Sequence, residues 1–293
     1  MVTERSVEDS RKARRRTGSL PKEAADEKCV VFAYFDETGT HDSAPETVVA
    51  GYLFSKDGAK LFRRFFLDSV SPLLPPDKHG RRMYHTTTCV GGFDQFSALS
   101  QPQREHIVDS MAEAIIRSVT LGVVVGIEKS EYQKAIAQSP QLRELAGDEY
   151  SVCLLRCIEN MAGWLDHKEL DGRIEYVFEA GCNSQTEANA IIGKIVASSE
   201  LKRRYRWHDY SFREKSPEIP QLFAPDLLAW EWQRARVNAH NPKRGEWRLT
   251  LQKLTHGAPH VPQYQTATSV GIRALVNLCY GLTRTKGPLH ISV

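Results

Sequence analysis

The order of hydrophobic patterns along this chain predicts an α/β fold, a mixed sheet flanked by helices. Three observations carry the expectation: short apolar runs that suit buried strands, longer segments with apolar residues at helical spacing, and alternation of the two along most of the sequence. At 293 residues the chain accommodates one large domain with additions, or two smaller domains.

Residues 1–28 are polar and charged, with Arg11, Lys12, Arg14, Arg15 and Arg16 clustered, and are expected to form a disordered basic tail. No apolar stretch follows the cluster, so it does not read as a secretory signal. The folded domain is expected over 29–240. The run from Val30 to Phe35 is nearly all apolar and ends in Asp36-Glu37-Thr38-Gly39-Thr40, the pattern of a buried strand entering a turn. Thr47 to Phe54 reads as a second strand, followed by a break at Lys56-Asp57-Gly58 and an amphipathic helix to about Val70. Ser71 to Arg82 reads as a Pro-containing loop, and Met83-Tyr84-His85 as a short extended piece. Ser100 is placed to cap a helix over Gln101 to Ser118, in which Ile107, Met111 and Ile115 recur every four residues.

Leu121 to Ile127 is the next apolar strand, followed by a short helix over Glu131 to Gln138 and a long one over Asp148 to His167. Arg173 to Phe178 is strand-like and runs into Glu179-Ala180-Gly181. Gln185 to Ser198 has a helical pattern, Tyr205 to Phe212 a strand pattern, and Ile219 to about Asn238 reads as a helix after a Pro-containing turn. Beyond it, 241–293 is read as a C-terminal extension packed on the domain, with Ser269 to Tyr280 as a candidate final helix.

Hydrophobic residues at 41% and charged residues at 26% are ordinary for a globular protein. No apolar run approaches the roughly 20 residues that a membrane helix needs, so the expectation is a cytoplasmic protein and no membrane partner. Six scattered cysteines without a CxxC knuckle suit reduced thiols; Cys153 and Cys157 fall on one helix face as small hydrophobes rather than as half of a zinc site. The net charge of +3 does not by itself point to nucleic acid. Arg203, Arg204 and Arg206, interleaved with Tyr205, Trp207 and His208, are a candidate nucleic-acid-binding cluster, with a solvated face beside a strand as the plainer reading. Gly91-Gly92 lacks a phosphate-loop context, and no HExxH or GxSxG motif occurs. Trp230-Glu231-Trp232 lies in a helical segment, where one Trp is expected to pack inward and the other to be partly exposed, with core packing as the expected role. The pattern is silent on oligomeric state.

Several segments together resemble a known family. Tyr34-Phe35-Asp36-Glu37-Thr38-Gly39 is similar to the YxDESG opening of the domain-of-unknown-function family 3800, which is grouped with the ribonuclease H-like superfamily. Tyr84-His85 resembles its short His-containing segment, and Phe178-Glu179-Ala180-Gly181 its mid-chain acidic strand end. The stretch Ile219-Pro220-Gln221-Leu222-Phe223-Ala224-Pro225-Asp226-Leu227-Leu228-Ala229 resembles its late PxLQxADxLA segment. The resemblance spans roughly Cys29 to Asn238; the tail and the last fifty or so residues lie outside it. Two departures stand out: Phe223 and Pro225 replace the Gln and Ala of the late segment, and Thr38 replaces Ser. Pro225 lacks an N–H and biases Ala224 away from the α region, so the helix is expected to start at Pro225.

The resemblance implies a ribonuclease H-like sheet with Asp36, Glu179 and Asp226 as metal-binding carboxylates. Acids about 4 Å apart repel by ~4 kcal/mol per pair at an effective dielectric near 20, so such a cluster needs protons or a cation. Hard oxygen donors select Mg²⁺ or Mn²⁺ over zinc, and two such ions support in-line hydrolysis of a phosphodiester. In this scheme Asp36 bridges both ions, while Glu179 and Asp226 each complete one side. Glu37 is a weaker candidate, expected to point away from the strand end, and His85 a candidate proton shuttle or phosphate contact. Each residue also has a plainer reading: Asp36 as an Asx-turn acid, Glu179 as a salt-bridge partner, Asp226 as a helix-start residue, His85 as structural. The function expected is a divalent-metal-dependent nuclease acting on RNA or DNA. Its alternative is an inactive ribonuclease H-like protein that binds nucleic acid or protein.

Overall fold

The computed structural model describes residues 30–181, 185–239, 249–256, 263–266, 271–272 and 276. The expected basic tail, the loop after residue 240 and all but Gly271, Ile272 and Val276 of the candidate final helix lie outside the described residues. Strand β1 (Val30–Thr38) pairs antiparallel with β2 (Glu46–Phe54), and Phe35 stands opposite Gly51 in that register. Helix α1 (Lys56–Phe65) starts at Ser55, whose hydroxyl accepts from the Gly58 N–H, and continues into a π-helical turn, Phe66–Val70. Helix α2 (Thr86–Gly91) is short and stops where Gly92 turns left-handed, with φ of 69°. Helix α3 (Gln101–Ser118) opens on a capping box, the Ser100 N–H donating to the Gln103 side chain at 2.8 Å.

Strand β3 (Leu121–Glu128) runs antiparallel to β2 and is followed by α4 (Lys129–Gln138), α5 (Gln141–Ala146) and α6 (Glu149–His167). Asp148 caps α6 by accepting from the Ser151 N–H. Strand β4 (Arg173–Glu179) returns parallel to β1, and after α7 (Gln185–Ala197) and α8 (Ser199–Arg204), β5 (Trp207–Arg213) runs parallel to β4. A 3₁₀ turn, Pro220–Leu222, leads into α9 (Phe223–Ala239). The helix therefore begins two residues before the expected Pro225, which sits within the first turn, where its missing N–H leaves no intrahelical bond unmade. Met83–His85 belong to no strand, although the His85 backbone is extended.

Helix α10 (Leu249–His256) packs on α3 and α9, and β6 (Gln263–Thr266) pairs parallel with β3. The sheet order is β5-β4-β1-β2-β3-β6. Three antiparallel strands joined to two parallel ones at β1, with β6 parallel to β3 on the far edge and helices on both faces, make a mixed α/β sheet.

Two apolar layers sandwich the sheet. The first is Phe35, Val49, Val123, Val125, Tyr176 and Phe178 against α6, whose Cys153 and Cys157 thiols lie buried on the Thr47 and Val49 carbonyls. The second sets Tyr34, Val48, Ala50, Tyr52 and Val124 against α1, α3 and α9. Strand β2 is buried along its whole length, so it reads as a continuous apolar run instead of alternating. No helix among the described residues is long and apolar enough to cross a membrane.

Candidate metal centre

Register brings the first two acids together. In the parallel β1·β4 pair Phe35 stands level with Phe178 and both enter the α6 layer, so the next residues, Asp36 and Glu179, are level and turn toward α9. Asp226 joins them from the first turn of α9, the helix that lies over β1 and β2. Its Oδ2 accepts from the Thr86 N–H at 3.0 Å, tying α9 to the start of α2 across 140 residues of sequence. The same contact brings His85 to the mouth of the cavity, exposed, with its side chain capping nothing. Gly39 lets the chain leave the site at φ of 76°, where a Cβ would lie 2.0 Å from the Glu46 carbonyl oxygen.

The cavity is lined by Asp36, Glu37, Glu179, Lys215, Asp226 and Trp230, among others. Ligand oxygens of Asp36, Glu37 and Glu179 lie within 4.8 Å of one another, the one such group among the described residues. The close triplet thus contains Glu37, expected to face away, and omits Asp226. Glu37 lies past the last β1·β4 pair, while on its other side it is paired with Val49 of β2.

Asp226 is connected instead through a residue that the sequence reading passed over. The Lys215 ammonium lies 2.7 Å from Asp36 Oδ2, 2.8 Å from Glu179 Oε2 and 3.9 Å from Asp226 Oδ2, with its side chain only 9% exposed. The end of β5 carries it there. The Ala180 N–H donates to the Arg213 carbonyl at 2.9 Å, pinning the end of β5 beside Glu179, and the chain turns inward two residues later. A single lysine in the Glu214-Lys215-Ser216-Pro217 loop has no motif, and only strand pairing reveals its edge.

Burial lifts the Asp36 carboxyl well above the usual carboxylate range; Lys215 opposes the lift, and the nearby Glu179 and Asp226 carboxylates add to it. For Lys215, burial favours the neutral amine, but Asp226, Asp36 and Glu179 outweigh it and hold the ammonium above its ordinary pKa. An all-oxygen donor set of buried and half-buried acids fits a hard divalent cation, with Asp36, Glu37 and Glu179 as the residues that would hold it.

The arginine cluster lies elsewhere. Arg204 makes two hydrogen bonds to the Glu159 carboxylate, and Arg206 pairs with Asp166 while donating to the Leu170 and Gly172 carbonyls. Both precede the first residue of β5, roughly 20 Å along the strand from the edge that holds Glu179. The structure does not bring Arg203, Arg204 and Arg206 to the carboxylates. Of the two tryptophans, Trp232 packs inward in the second layer, and Trp230 is half-buried and forms part of the cavity wall, the division expected of the pair.

The sequence matches no family model and no curated protein. Among solved structures the chain is similar to one from the PCNA:RNase HII complex of Archaeoglobus fulgidus, at 14% identity over 75% of this chain and 79% of that one, with a TM-score of 0.36. It is also similar to a mutant of Bst-RNase HIII, at 11% identity over 74% of this chain and 56% of that one, with a TM-score of 0.41. The Bst-RNase HIII structure in complex with Mn²⁺ matches at 11% identity, covering 77% and 60% of the respective chains, with a TM-score of 0.41.

Proposed function

We propose that this protein is a cytoplasmic divalent-metal-dependent nuclease hydrolysing phosphodiester bonds in RNA or DNA, and that it is a member of the domain-of-unknown-function family 3800. The observation that carries the reading is the meeting of Asp36, Glu37 and Glu179, with ligand oxygens within 4.8 Å, at the edge where β1 and β4 end. A Mg²⁺ or Mn²⁺ ion held by these oxygens would supply Lewis acidity for activating water and for offsetting charge on a leaving oxygen. Asp36 anchors the centre from the sheet, Glu37 and Glu179 complete its oxygen donors, and Asp226 sets the position of Lys215 and of the Thr86 backbone. His85, exposed at the cavity mouth, meets the substrate side and is the candidate for proton transfer or phosphate contact.

A second reading keeps the fold and drops turnover, leaving a nucleic-acid-binding or protein-interaction module. It is favoured by the three ion pairs of Lys215, which offset part of the acidic charge without any metal. Thermal melting with Mn²⁺ and with EDTA, followed by cleavage of labelled single-stranded, duplex and hybrid substrates, separates the two. The nuclease reading expects Mn²⁺ at a hundredfold excess over its Kd to add about 2.7 kcal/mol of stability. It expects Asp36→Asn to lose both that gain and cleavage. A melting curve indifferent to Mn²⁺ and EDTA, with every substrate left intact, would sink it.

A further inference from the structure

Lys215 sits where an ion shared by Asp36 and Glu179 would sit. Its ammonium is at hydrogen-bond distance from both carboxylates, 2.7 and 2.8 Å, and its side chain is nine-tenths buried. We propose that Lys215 is a built-in second cation: the centre takes a single divalent ion on its Asp36, Glu37 and Glu179 side, and the lysine supplies the fixed positive charge for which a two-ion centre would use its second metal. The inference rests on the metal-dependent reading above and narrows it.

Three features support it. Both oxygens of Asp36 already have a partner, Oδ1 the Glu37 N–H at 2.9 Å and Oδ2 Lys215, so each keeps a single lone pair and the carboxylate has less capacity for two ions than for one. Paired catalytic ions stand about 3.5–4 Å apart and share a carboxylate. Here one of the two places around Asp36 is taken by the ammonium. Finally, Asp226, which a second ion would need on its far side, is outside the close oxygen group; it faces Lys215 at 3.9 Å and accepts from the Thr86 N–H. Lys215 therefore acts as a positioning residue toward the ion and as a standing charge beside the cavity that a phosphate would enter.

Mn²⁺ binding to the full chain tests this without relying on cleavage. Equilibrium dialysis against millimolar Mn²⁺ gives the stoichiometry, and electron paramagnetic resonance distinguishes an isolated ion from an exchange-coupled pair. One Mn²⁺ per wild-type chain with an isolated-ion spectrum is expected. Lys215→Met, which keeps the length and removes the charge, is expected to bind two with a coupled spectrum, while Lys215→Arg stays at one. Two coupled ions in the wild-type chain would overturn the proposal and leave the metal-dependent reading standing. One ion in both the wild type and Lys215→Met would also overturn it, because the lysine would then not be what excludes the second. No bound Mn²⁺ in the wild type would bring down the metal-dependent reading and this inference together. Since the wild-type stoichiometry needs no substitution, the proposal remains open to refutation even if Lys215→Met fails to fold.

Discussion

Asp36 and Glu46 show how burial changes what a carboxyl does. Both are nearly inaccessible on the α9 side of the sheet, but Asp36 has Lys215 at 2.7 Å, whereas the cation paired with Glu46, Arg236, stands 3.7 Å away. Burial lifts the Glu46 carboxyl, Arg236 pulls it back and Glu128 lifts it again, taking it from 4.5 to about 7. An acid whose folded pKa is raised keeps a proton that the unfolded chain has already released. Stability is therefore expected to fall as pH rises between about 4.5 and 7, by about 1.4 kcal/mol per unit and up to about 3 kcal/mol in all. Urea denaturation from pH 5 to 8 should show this slope in the wild type and a flatter one in Glu46→Gln; equal slopes would mean that the group does not carry the effect.

Among the elements, β1 and β2 depend on one close approach. A Cβ at Gly51 would lie 2.6 Å from the Phe35 ring and 2.8 Å from the Met161 methyl, so the gap opposite Phe35 is filled by aromatic ring and α6 side chain. Phe35 in turn stacks on Phe178 with ring centroids 5.4 Å apart, which holds β1 and β4 level immediately before their acidic ends. Gly51→Ala is expected to overpack this contact and cost about 1–3 kcal/mol in chemical denaturation. The displaced ring should also weaken Mn²⁺ binding, since Asp36 follows Phe35 directly. A variant as stable as the wild type would show that the layer yields more easily than its packing implies.

For the whole molecule, the second apolar layer is completed from far along the chain. Leu251 and Leu254 of α10 are buried in it, and β6 pairs with the β3 edge. A chain ending at residue 248 would uncover that apolar surface and leave the outer edge of β3 unpaired, with N–H and C=O groups available to another molecule. Such a truncation is expected to associate, visible as a concentration-dependent mass in light scattering. A monodisperse truncation that melts at the wild-type temperature would contradict this dependence.

Apolar runs and helical spacing were enough to locate five strands and most long helices, because each such element buries a face whose period is written locally. Gln101–Ser118 came out with the same bounds, set by the Ser100 cap and by the recurrence of Ile107, Met111 and Ile115. The strand Gln263–Thr266 was not legible, since four polar-flanked residues carry no periodic signal and owe their form to the β3 edge. The acids divide in the same way. Asp36, Glu37 and Glu179 were visible from the sequence as acidic strand ends, and Asp226 as the acid opening a helix. Which of them lie close was decided by the β1·β4 register, and Lys215 entered only through the pairing of β5 with β4. Local composition determines which segments bury a face. The distance between side chains far apart in sequence depends on which strand lies beside which, and only the closed sheet settles that.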